Sequence, residues 1–148
     1  MRKATRLENT CVRDRRGANN TVTVYVATAY AQALYYTLTG IWPLVDLRSF
    51  EFVTGPKVDD WLVKTVGVLV TTNGAVLGRA GYRHTIVPEV PLLAGGSALS
   101  LAGIDVVYVT KGRISRIYLL DAVADLGLAA IWTALLSRTL SPNKKPSR

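Results

Sequence analysis

Between Arg16 and Asp46 the chain carries no charged residue, a gap of 29 residues (17–45) in a sequence of 148. Within it, Val22 to Val45 reads VTVYVATAYAQALYYTLTGIWPLV. About 20 apolar residues in a helix cross the roughly 30 Å hydrocarbon core of a bilayer, so this stretch is long enough to span with some tilt. A soluble domain and a cleaved leader are the two alternatives. In a soluble domain the run would be core, and Thr21 to Val26, all β-branched or aromatic, would suit a strand. As a cleaved leader it has basic residues before it and Ala31-Gln32-Ala33 inside it, but the apolar run continues through Ile41 and Val45, which suits an anchor better.

Three further apolar stretches are interrupted by charge: Trp61 to Gly78 by Lys64, Val90 to Thr110 by Asp105, and Ile117 to Ser137 by Asp121 and Asp125. Only the first run is free of charge, so the others must be judged by magnitude. A central Asp costs about 2.5–3.5 kcal/mol on an insertion scale, and each Leu, Ile or Val returns about 0.3–0.6 kcal/mol. The nine such residues in the last stretch return about 3–5 kcal/mol against at most about 5–7 kcal/mol for its two Asp. Asp121 and Asp125 lie one and two turns from the start of the stretch, which lowers their cost, and Lys64 can snorkel. The expectation is an all-α, integral-membrane, antiparallel four-helix bundle. Its helices cover about 22–45, 61–78, 89–110 and 117–137 within a domain 21–140, flanked by a polar basic tail 1–20 and a polar tail 141–148.

The net charge of +8 raises the question of nucleic acid. The bases sit in tails and short connections, with no basic-aromatic recognition element, so no nucleic-acid partner is expected. With both termini on one side, 12 of the 18 Lys and Arg residues fall on that side and six on the other. The positive-inside rule then puts the termini of a multi-pass membrane protein in the cytoplasm, its basic tails touching anionic lipid. The single Cys11 excludes an internal disulfide framework and a Cys-rich zinc site, and the single His84 argues against a His-rich metal centre or a one-chain Ser-His-Asp triad. No nucleotide or metal motif is present, and no cofactor is expected.

Three of the ten acids, Asp105, Asp121 and Asp125, lie inside expected spans. In this topology they share one half of the bilayer, the outer one. Asp121 and Asp125, spaced i and i+4, share one helix side. Gln32, Tyr35, Tyr36 and Thr39 run toward the same face on the first helix, and Tyr108 lies one turn from Asp105. Lys64 is the natural counter-charge. An ionisable group facing lipid is expensive and normally faces the interior or a wet cavity. The candidate site is therefore Gln32, Tyr36, Lys64, Asp105, Tyr108, Asp121 and Asp125, with the Arg48–Lys57 segment, including Glu51, as a loop over it. The bland alternative is polar glue, in which the same groups hold helices together.

The block WPLVDLRSFEFVTGPKVDDWLVKTVG (Trp42–Gly67), with DVVYV (Asp105–Val109) and IYLLDAVAD (Ile117–Asp125), resembles a family of uncharacterised bacterial integral membrane proteins with four helices. The resemblance covers about residues 22–137 and implies a location in a bacterial inner membrane and a four-helix fold, with no activity attached. EXPERA-type and DoxX-like proteins are similar only in helix count and intramembrane acids, and their chemistry is not transferred. Three functions remain open: a pocket, binding or catalytic, for a lipid-like or small amphiphilic molecule; a proton-coupled transporter or channel formed by a homo-oligomer; and a structural or assembly subunit of a membrane complex.

Overall fold

The computed structural model describes residues 2–56, 59–85 and 87–140. Five helices follow one another: α1 (Arg2–Val45), α2 (Leu47–Thr54), α3 (Asp60–Tyr82), α4 (Glu89–Thr110) and α5 (Tyr118–Leu140). No strand occurs among the described residues, so the β-rich segment Thr21 to Val26 is helical. Residues 2–20, expected to be a polar tail, are the opening turns of α1. At 1.5 Å per residue its 44 residues extend about 66 Å, twice the thickness of a bilayer core.

The helices associate as two close antiparallel pairs, α1 with α3 and α4 with α5. Glycine explains the first. A Cβ on Gly67 would lie 2.6 Å from the Gly40 carbonyl oxygen, and one on Gly74 would lie 2.6 Å from Thr37 Oγ1. Only hydrogen at these positions lets the backbones approach so closely, the small-residue packing familiar between membrane helices. In the second pair, Pro91, Ala94, Ala98 and Ala102 of α4 are buried, as are Ala122, Ala129, Trp132 and Leu135 of α5. The pairs meet chiefly through large side chains. Tyr25 stacks edge-on against Trp132, with ring centroids 5.2 Å apart, and its hydroxyl donates to the Thr85 carbonyl at 2.9 Å.

The connection from 46 to 59, expected to be a loop, contains α2. Asp46 caps this helix by accepting from the Ser49 backbone N–H at 3.1 Å. Gly55, at φ +90, ends it in a conformation that favours glycine. Trp42 at the end of α1 holds α2 down, donating from Nε1 to Ser49 Oγ at 2.8 Å and packing edge-on against Phe50.

Helices α3, α4 and α5 are long and apolar enough to cross a membrane. The charge-free run in α1 is not among these three, because Tyr, Thr and Gln dilute its apolar content. Its arrangement is nonetheless inverted relative to a helix in water. Tyr25, Gln32 and Tyr36 are buried, whereas Val24, Leu34, Leu38 and Ile41 are exposed. The same holds for α4 and α5, where Leu92, Leu99, Leu120 and Val123 are exposed while Asp105 and Asp125 are buried; in α3, Leu69 is exposed and Gly67 and Gly74 are buried.

Candidate functional site

Two layers of polar groups lie between the helix pairs. The deeper one centres on Gln32, whose side chain is 0% exposed. Its Nε2 donates to the Ala94 carbonyl at 3.0 Å, and its Oε1 accepts from Trp132 Nε1 at 2.5 Å. One amide thereby ties α1 to both α4 and α5. Gln32 is a ligand-binding candidate by sequence; in the fold its amide oxygen and nitrogen are both engaged by the protein.

One turn further along α1 begins a cavity of about 650 Å³, within the range typical of small-molecule sites. Tyr36, Asp105, Asp121 and Asp125 all line it. Tyr36 donates its hydroxyl to Asp125 Oδ1 at 3.3 Å, and Tyr35 donates to Asp121 Oδ1. Asp105 and Asp121 are both close enough to interact electrostatically with Asp125. Asp125 is 0% exposed, and its Oδ2 takes no hydrogen bond from the described residues.

The cavity has two kinds of wall. Helices α1, α4 and α5 supply its acids and tyrosines, Tyr118 included, whereas α3 contributes Leu62, Val63, Val66, Gly67 and Val70. Phe50, Val53 and Thr54 of α2 close one end, next to Trp42 and Pro43. Along α5 the lining runs from Tyr118 to Asp125, about 10 Å of helix rise, with Ile117 just before it. The sequence pattern marks the segment after Asp46 as a loop over the site, and nothing in it reveals a helix in the wall. It shows the direction of Tyr35 but not the role.

Other candidates lie apart. The lining stripe of α3 falls at 62, 63, 66, 67 and 70, and Lys64 is on another side of that helix, exposed, so it is not the counter-charge expected. Tyr108 is 46% exposed, and its ring lies beneath Lys111, whose Nζ is 5.6 Å from the centroid. Arg48 is exposed on α2, Glu51 is half-buried there, and Lys57 lies outside the described residues. No Lys, Arg or His lines the cavity among the described residues, and no group of three or more His, Cys, Asp or Glu among them suits a metal ion. The chain matches no family model, no curated protein and no solved structure.

Proposed function

We propose that this chain is a small multi-pass protein of a bacterial inner membrane, its four long helices forming an antiparallel bundle with cytoplasmic termini, like the family its middle block resembles. Its role is to bind a lipid-like or small amphiphilic molecule in the outer half of the bundle. The inverted surface supports a membrane location. Large aliphatic side chains lie exposed on all four long helices, and Asp105 and Asp125 are buried. The distribution of bases supplies the orientation.

One observation carries the function: the 650 Å³ cavity is lined both by apolar side chains, among them Leu62, Val63, Val66 and Val70 of α3, and by the acids and tyrosines of α1, α4 and α5, with α2 contributing Phe50, Val53 and Thr54. An amphiphile matches both walls at once. Polar glue accounts well for Gln32, whose partners are all protein groups, but it leaves Asp125, a residue of the cavity lining, with one oxygen that takes no hydrogen bond from the described residues. Whether the bound molecule is also transformed is a separate question, since a pair of acids at i and i+4 suits acid-base chemistry as well as anchoring.

The test is to purify the full chain in mild detergent and extract what accompanies it. Mass spectrometry should find one amphiphile enriched over bulk lipid. Each of Asp105→Asn, Asp121→Asn and Asp125→Asn should deplete it while helicity and elution volume stay unchanged. Retention of the same molecule by all three variants would sink the proposal.

A further inference from the structure

The cavity holds acids from two helices and no base among the described residues, an imbalance that narrows the chemistry of its occupant. Asp125 is the informative group. Its Oδ1 is engaged by the Tyr36 hydroxyl, Tyr35 is committed to Asp121, and Asp125 Oδ2 remains buried with no donor among the described residues. A buried carboxylate oxygen without a donor is costly, and a buried negative charge without a cation more so. The expected partner, Lys64, is exposed and is not part of the cavity lining. An inorganic ion is not favoured, because no group of metal-binding side chains assembles among the described residues. The wall facing the acids is hydrocarbon from Leu62 to Val70.

Building on the amphiphile reading above, we propose that the cavity selects a cationic amphiphile, an alkylammonium by chemical class, whose N–H donates to Asp125 Oδ2 while its hydrocarbon lies against α3. An alkyl alcohol supplies the hydrogen bond but no charge. A fatty carboxylate brings a fourth acidic group to the three already present.

The full chain in zwitterionic detergent is titrated with dodecylamine, dodecanol and dodecanoate, and bound molecules are counted by native mass spectrometry. Dodecylamine should bind as a single molecule, roughly tenfold or more tighter than the other two. Asp125→Asn should bring the amine down to the level of the alcohol, and Asp125→Glu, which keeps the charge, should retain the preference. A third variant, Val66→Trp, fills the cavity and should remove binding of every probe. If all three probes bind equally and Val66→Trp abolishes them all, the cation selection is overturned while the amphiphile cavity stands. If no probe binds, or if Val66→Trp leaves binding unchanged, both fail. Circular dichroism and elution volume confirm that each variant is folded.

Discussion

At the scale of single residues, Gln32 and Asp125 show how two polar side chains in one bundle differ in kind. Gln32 spends its amide on the Ala94 carbonyl and the Trp132 indole. Replacing it with Leu leaves the indole N–H buried without an acceptor. Intramembrane hydrogen bonds contribute roughly 0.6–2 kcal/mol, and an orphaned buried donor costs roughly 1–3 kcal/mol. Gln32→Leu should therefore lower the melting temperature in detergent, and Gln32→Leu with Trp132→Phe should recover part of the loss. No change in the single variant would contradict the crosslink. Asp46 offers a pH test outside the spans. The Ser49 backbone N–H holds its carboxyl below the ordinary carboxylate value. A depressed folded pKa means that the cap stabilises α2 at pH above the usual carboxylate range and stops doing so as pH falls through the folded value. Amide exchange in α2, corrected for intrinsic rates, should accelerate over that acidic window, and Asp46→Asn should flatten the dependence. Equal acid sensitivity in the variant would assign it to another group.

At the scale of elements, the α1–α3 pair depends on the absence of side chains at a few positions. Gly67→Leu would drive carbon into the Gly40 carbonyl, and overpacking of this kind costs about 1–3 kcal/mol. A Cβ at Gly103 meets nothing within 4 Å, so Gly103→Ala should be neutral or should gain up to about 1 kcal/mol from helix propensity. Thermal unfolding of the two variants should separate them clearly; equal melting temperatures would remove the close-approach argument. The sequence has 12 glycines, and nothing local marks which of them permit close packing. Gly67 and Gly103 differ only in what faces them, and a facing helix is not encoded locally. The eight-residue α2 was hidden for a related reason. LRSFEFVT within a stretch of mixed charge is too short to show a decisive period, and its apolar side acquires meaning only against Trp42 and the cavity.

At the scale of the whole molecule, orientation yields a direct test. Cys11 is the only cysteine and lies on the side assigned to the cytoplasm. A membrane-impermeant maleimide should label it in inside-out vesicles and not in intact spheroplasts; the reverse pattern would invert the topology. The long apolar runs and the acids within them are readable along the chain, because helix length and hydrophobic content are local properties that a bilayer tests one segment at a time. Local patterning thus determined an all-helical chain with spans long enough for a membrane and with Asp105, Asp121 and Asp125 inside them. Tertiary structure alone decided which polar groups meet. It used Gln32 as a crosslink, turned Lys64 and Tyr108 away, brought Tyr35 and Tyr36 onto the aspartates and laid α2 over the end of the cavity. The physical reason is that the rotation of each helix about its axis is set by packing against its neighbours, and a side chain's partners change completely within one residue's turn of about 100°.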